Sequence, residues 1–522
     1  MPYNPLDANS ALLLRLATAY ILGLLSSTGP RFIKILFFLA KRKLTLQAAC
    51  VQLWTILRQA QGIHRFPAFC GVLVGGSTLL QVPIKALIIE LLRLVHRVPT
   101  RSQVKKARIL ARFVGALFSA FVSFRLINSA SFISSSASQI QPFPPPLAHP
   151  AHPTHSTTHL DFVKPGPFDE PPEPHTRQLN NATLSAKCLS RTDLAGKSLD
   201  LTIFAVIRAL DVVISSAWNR PSPSKHPNLK TISRSTPTIL FCLSVSTIMH
   251  SWFYSPSRLP QTYNNWISAA AQIDQRLMLA LRHAQYGSWV YGKDTGMAPL
   301  LGSMCRDYGL PEDLGDPEKT IPIPCELVHM GWGKSCEKHA LVRFCRGWLF
   351  AAKMYAPMQL LVVARHLRRT ARPGNKLVGL TQDVLLKALA DMARSSAFLG
   401  AFISFFYYGV CLSRTRLGPK LFSYKSVTPQ MWDSGLCVLA GCLVCGTSIL
   451  VEQSRKRLEV VFFVLPRAVA TWLPRRYLPE NRWIEQWAFT ISAAVLLTAA
   501  QEDPTRVRGV LGSALHSILK TK

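Results

Sequence analysis

Cys325, His329 and Cys336, within the segment CELVHMGWGKSC, are residues able to hold a metal ion. Thiolate and imidazole are donors that suit zinc, and His339 or Cys345 could complete the set. The spacing lacks the paired CxxC of a strong zinc motif, and a thiol pair that packs a turn, or is acylated beside a membrane, is the simpler reading. GWGKS at 331 to 335 imitates the end of a phosphate loop. The first glycine such a loop requires would fall on Val328, so that chemistry is excluded. Arg208 and Arg467 are the other chemically telling residues, because each stands in the middle of an apolar stretch. A charge there is expensive unless it faces water or a partner. Both arginines are therefore expected either to line a polar groove that takes an anionic head group or carboxylate, or to snorkel from a tilted helix. No HExxH, GxSxG, GxGxxG or spaced carboxylate pair occurs, so neither catalysis nor a cofactor is expected.

The elements that carry these residues are membrane helices. Hydrophobic residues form 48% of the 522 and lie in blocks, the mean hydropathy is +0.18, and the formal net charge is +33. The basic runs Lys41-Arg42-Lys43, Arg93 to Arg112, Arg365 to Arg372 and Arg455-Lys456-Arg457 each abut an apolar block, as topology-setting loops do. No RNP, zinc-finger or helix-turn-helix pattern accompanies them, which excludes nucleic acid as the partner. Twelve cysteines are scattered, and Cys242, Cys437, Cys442 and Cys445 sit inside apolar blocks as small hydrophobes, so no disulfide framework is expected. Asp7 and Arg15 break the pattern of a cleaved secretory signal, and the terminal LKTK is not a peroxisomal tripeptide.

A bilayer core needs about 20 apolar residues per helix. Spans are predicted near 10 to 28, 66 to 92, 109 to 127, 199 to 218, 237 to 254, 345 to 364, 396 to 412, 433 to 452, 458 to 473 and 485 to 500. Eight are assigned as membrane-crossing, with the first and that at 345 to 364 set apart as interfacial. Residues 128 to 198, rich in Ser, Pro and His, predict a disordered insertion. Its sequon Asn181-Ala182-Thr183 matters only if the loop is lumenal. Residues 255 to 344 predict a polar linker that ends in the Cys box.

The halves match in order. AFCG from Ala68 matches AFLG from Ala397, Gly115 falls on Gly441, Arg208 on Arg467, and FCLSVSTIMHSWFYSPSR from Phe241 lies over FTISAAVLLTAAQEDPTR from Phe489. The predicted fold is accordingly all-α, a polytopic membrane helix bundle built from two repeated four-helix units. The first unit would take 1 to 127 and 199 to 254, and the second 345 to 522. Small residues at helix-contact spacing, such as Gly71 and Gly75 or Cys437 with Gly441 and Cys445, are read as packing positions.

The box with Cys325, His329, Trp332 and Cys336, followed by Lys353, Tyr355, Ala356 and Pro357, resembles the cysteine-rich segment of the transmembrane protein 135 family. The match is specific over 322 to 365, and the two units are similar to the Tim17/Tim22-type four-helix fold. The resemblance implies an integral membrane protein of peroxisomes or mitochondria, connected with lipid or sterol transport or with organelle dynamics. A non-enzymatic scaffold or translocase-like component, packed against other organelle membrane proteins, is the alternative.

Overall fold

The computed structural model describes residues 5–42, 44–96, 100–129, 167–171, 195–218, 227–370 and 378–519. The proline-rich insertion with its sequon lies outside them except at its edges and at 167–171. The protein is an all-helical polytopic membrane bundle. Among the described residues, eight helices are long and apolar enough to cross a bilayer: Leu13–Leu39, Phe66–Leu94, Arg101–Ile127, Leu199–Trp218, Cys336–Arg368, Gln382–Leu421, Pro429–Val451 and Pro479–Glu502. Their outer faces are apolar: Leu360, Leu361 and Val362 are 68%, 71% and 57% exposed, as suits side chains that meet lipid.

The number of spans agrees with the sequence reading, but the membership does not. The two segments set apart as interfacial belong to 27- and 33-residue helices, long enough to span with tilt. The segments at 237 to 254 and 458 to 473 are not among the eight. Arg455, Lys456, Arg457, Glu459 and Arg467 load the second with charge, and in the first hydroxyls and His250 dilute the hydropathy. Those hydroxyls turn inward: Ser244 donates to Leu240 O at 2.6 Å and Ser246 to Cys242 O at 2.7 Å and Cys442 O at 2.9 Å.

The chain divides into two compact units, one of 1–153, 189–224 and 475–522 and the other of 154–188 and 225–474. The division falls inside 199 to 254, which the sequence assigned whole to the first half. In the first unit, α1 (Pro5–Ala40) and α2 (Leu46–Ala60) precede α3, which runs from Phe66–Cys70 through a π-turn at Gly71–Gly75 into Gly76–His96. α4 (Arg101–Ile127) packs on α3, and α5 (Leu199–Trp218) and α4 both pack on a helix from the chain's end, Arg482–Glu502. In the second unit, α6 (Pro227–Tyr254) leads into a cap of α7 (Gln261–Ala271), α8 (Gln275–Tyr286), α9 (Ala298–Asp307) and the single turn α10 (Cys325–Val328). There follow α11 (Cys336–Thr370), α12 (Val378–Leu412), α13 (Cys437–Cys445) and α14 (Ser454–Trp472), with α12 packed on α11 and α13, and α6 packed on α13 and α14. α15 is Arg482–Glu502 and α16 Gly509–Leu519.

Residues 255 to 344 are thus not a linker but a folded cap. Leu277, Leu281, Trp289, Leu300, Leu301 and Met304 bury there in one core with side chains of the membrane helices. The acidic residues that made the segment look polar are partly spent on ion pairs: Arg276 reaches Asp274 at 2.9 Å and Asp307 at 2.7 Å. Burial acts to raise the Asp274 carboxyl, but the hydrogen bonds from Arg276 and Tyr308 prevail and hold it below its ordinary range.

Small residues permit the closest helix crossings. A Cβ on Gly115 of α4 would stand 3.2 Å from Gln81 N on α3, and one on Gly441 of α13 would stand 2.8 Å from both Phe406 O and Val410 Cγ2 on α12. Gly441→Leu is expected to cost roughly 1–3 kcal/mol or more through overpacking. Gly29→Ala, with nothing within 4 Å, should be neutral or slightly stabilising. Thermal unfolding midpoints in detergent compare the two, and equal midpoints would remove the close crossing as a constraint.

Candidate functional site

The second unit holds a cavity of about 770 Å³, a size suited to a small molecule. α6 contributes Phe241 and Met249, α7 contributes Tyr263 and Ile267, α12 contributes Phe398 and Phe402, and α11 places Met354, Tyr355 and Met358 along one side. Met358 and Phe463 line it while 63% and 53% exposed, so the cavity opens laterally beside α11 and α14. Two charged side chains, Glu459 and Arg467, meet it from α14, two helical turns apart. Arg467 Nη1 donates to Phe463 O one turn back, and its guanidinium lies 3.8 Å from the Phe463 ring centroid and 5.1 Å from that of Tyr263. Tyr263 stacks in turn on Trp266, with centroids 5.9 Å apart and planes at 8°. The cation is thereby held by aromatic faces at the wall of an apolar chamber.

The paired arginines do not share a setting. Arg208 on α5 is 3% exposed and donates from Nη2 to Arg508 O, a backbone anchor within the first unit. Asp211, one turn on, faces Arg508 Nη1 at 3.9 Å. Arg467 lines the cavity. Of the KMYAP residues, Tyr355 lines the cavity too, whereas Lys353 and Pro357 face outward from the uninterrupted helix α11.

The box folds as α10, a reversal, and the start of α11. Gly331 and Gly333 adopt φ of +78° and +88°, and Met330 one of +53°, so the chain doubles back and returns Cys336 to Cys325. A side chain at Gly331 would also meet Tyr308 Cδ1 at 3.1 Å. The donor atoms of Cys325, His329 and Cys336 all lie within 4.8 Å of one another. Trp332 stands outside, where Arg346 lies 4.7 Å from its ring centroid. His339 stacks on His329 with centroids 4.6 Å apart instead of joining the donors, and Cys345 is exposed. Burial and the neighbouring Cys336 push the Cys325 thiol up to about 11, and burial lowers the His329 imidazole despite its bond to Gly333 O.

Three buried residues near these sites escaped the sequence reading. Cys411 of α12 brings its Sγ to 3.3 Å from His329 Nε2. Arg343 of α11 bonds the end of α7, through Ala271 O at 3.2 Å and Gln272 O at 3.0 Å. Arg414 pairs with Asp433 just before α13, Nε to Oδ1 at 2.6 Å. Compared with protein-family models, with curated proteins and with solved structures, the chain finds no match in any of the three.

Proposed function

We propose that the second unit binds a lipid with one anionic head group, drawing its apolar body into the cavity from the bilayer and holding its carboxylate or phosphate at Arg467. The observation that carries this reading is the Arg467 guanidinium, two turns from Glu459, in the wall of a chamber of about 770 Å³ lined mainly by aromatic and aliphatic side chains. A half-buried guanidinium in an apolar wall favours an anion, and the lateral opening suits a molecule that arrives from hydrocarbon. The resemblance to the transmembrane protein 135 family belongs to the same proposal, with a peroxisomal or mitochondrial membrane as the location and lipid transport as the activity. Sterols, which lack the anion, rank below acyl lipids.

A second part of the proposal is that the chain duplicates one four-helix unit whose last helices have changed places. α3, α4, α5 and α15 repeat as α12, α13, α14 and α6. Supporting this, Gly115 and Gly441 make the corresponding close crossings, and both last helices end in matching 3₁₀ turns, Pro256–Arg258 and Pro504–Arg506.

The full chain in detergent, exposed to photoactivatable palmitate, phosphatidic acid or a sterol probe, tests the ligand. Labelled peptides should come from α6, α12 and α14, and Arg467→Gln should weaken labelling by the anionic probes about tenfold, or about 1.4 kcal/mol, with Arg467→Lys retaining most of it. Labelling indifferent to Arg467→Gln, or confined to the outer faces, would end the lipid reading. Imaging of a tagged chain tests location: residence in the endoplasmic reticulum or plasma membrane, with organelle number and lipid stores unchanged on deletion, would remove it. Stoichiometric protein partners on crosslinking in native membranes, with function intact in Arg467→Gln, would favour the scaffold or translocase-like alternative.

A further inference from the structure

We infer that Cys325, His329, Cys336 and Cys411 form a structural zinc site, a Cys₃His clamp that ties the cap to the membrane helix α12. The inference is independent of the lipid reading, since none of the four lines the cavity. Three observations support it beyond the residue types.

The first is convergence. Three donors lie mutually within 4.8 Å, and Cys411 Sγ approaches His329 Nε2 to 3.3 Å and makes a thiol contact with Cys336. Bond lengths of about 2.3 Å to sulfur and 2.0 Å to nitrogen place tetrahedral donors about 3.5–3.8 Å apart. Cys411 adjoins this three-donor cluster on the His329 and Cys336 side, and the four donors would draw together to close around one ion. The second is the tautomer. His329 Nδ1 lies 2.7 Å from Gly333 O, and a carbonyl can only accept, so Nδ1 carries the proton and the Nε2 lone pair faces the thiols. A backbone carbonyl that accepts from the other ring nitrogen commonly fixes a zinc-bound histidine in this way. The third is enclosure. His329, Cys336 and Cys411 are 0%, 7% and 2% exposed and Cys325 is half-buried, so four protein donors would complete the coordination, the mark of a structural and not a catalytic zinc.

Charge and proton balance also close. Binding Zn²⁺ to three thiols and a neutral imidazole releases three protons and leaves the centre with a net charge of −1. The Arg414 guanidinium faces Cys325 and Cys411, and Asp433 is its own counter-ion. Arg343, whose field also reaches His329, supplies a further positive charge, so the buried group as a whole is neutral. The sequence separation explains the function of the clamp. α10 and the reversal belong to the cap, Cys336 opens α11 just after them, and Cys411 lies near the end of α12, so one ion would fasten α12 to a cap and helix start from which two long helices separate it in sequence.

The test is metal analysis of the full chain purified under reducing conditions with controlled trace metals. One zinc per chain is expected. Cys325→Ser and Cys411→Ser should each weaken retention against a competing chelator at least tenfold, while Cys345→Ser, at an exposed thiol away from the cluster, should leave it unchanged. Because a zinc-binding variant could fail to fold, the unaltered chain provides a second readout: stripped and given cobalt(II), it should develop thiolate-to-cobalt charge transfer and the intense visible bands of a tetrahedral centre. Unaltered protein free of zinc and unresponsive to cobalt, with its thiols open to alkylation or joined in a disulfide, would overturn the site. Iron in place of zinc would overturn the assignment of the metal.

Discussion

Asp433→Asn is expected to destabilise the second unit by roughly 3–5 kcal/mol, because it removes one partner of a buried ion pair and leaves the other charge uncompensated. The side chains of Arg414 and Asp433 are 4% and 0% exposed. Arg414 Nε lies 2.6 Å from Oδ1, and Nη2 donates to Oδ2 at 3.0 Å and to Ile323 O at 2.7 Å. Tyr291 donates its hydroxyl to the same Oδ2 and accepts from Ile323 N at 3.1 Å. The carboxylate therefore joins the end of α12, the turn before α13 and two loops of the cap. Asparagine keeps the shape but offers one acceptor in place of two and no charge to offset the guanidinium. Tyr291→Phe, which deletes the donor to Oδ2 and the acceptor for Ile323 N but leaves the charges paired, should cost less, roughly 2–3 kcal/mol. The double change Arg414→Met with Asp433→Leu should recover most of the loss, since replacing both members of a buried pair by apolar groups is often neutral. Chemical denaturation in detergent, followed through tryptophan emission, measures all four forms. An unchanged midpoint for Asp433→Asn would show that the pair adds nothing to stability.

That pair also shows where the sequence stops being legible. Hydropathy locates apolar helices because the bilayer imposes a length, and the basic runs mark their ends. At α14 the signal is diluted by charge at one end and by Arg467 in the middle, which lines a cavity that only packing creates. Asp433 looks like the polar edge of a span, and nothing local says that Arg414, nineteen residues earlier, turns back to meet it. Cys411 is harder still. In an apolar helix a cysteine reads as a small hydrophobe, and its approach to His329 depends on how α12 lies against α11. The box was legible as a cluster because its own glycines close the turn, whereas the cap was mistaken for a linker because its apolar residues are spread at helical spacing among charges. The sequence matches the two arginines by position, yet one anchors a backbone carbonyl and the other faces a cavity, since the surrounding helices decide the use of a guanidinium.

Arg343→Ala is expected to cost roughly 3 kcal/mol and to loosen the cap. Arg343 is 3% exposed and terminates α7: its Nη1 donates to Ala271 O and Gln272 O, the last carbonyls of a helix that ends with Gln272 at φ +50°. Those carbonyls have no partner within the helix and carry the negative end of its dipole, so a cation there satisfies both hydrogen bonding and charge. Nη2 reaches Met330 Sδ at 3.1 Å, and the guanidinium lies 4.4 Å from the centroid of Tyr407, whose hydroxyl donates to the same Ala271 O at 2.9 Å. Alanine removes two charge-assisted bonds and a buried cation–π contact, and it opens a void between α7 and α11. Lysine should restore less than half, because a single ammonium cannot meet two carbonyls and also stack as a plane. Methionine refills the volume without the charge, and so separates packing from capping: Ala271 O keeps Tyr407, and Gln272 O loses the Arg343 bond. Ala270 and Ala271 line the cavity, so lipid labelling should fall together with cap stability in the alanine form. Thermal unfolding with limited proteolysis of residues 255 to 344 reads both effects. Methionine matching the unaltered chain in midpoint and cleavage rate would reduce Arg343 to a space-filling side chain, and α7 would then be held by its apolar face alone.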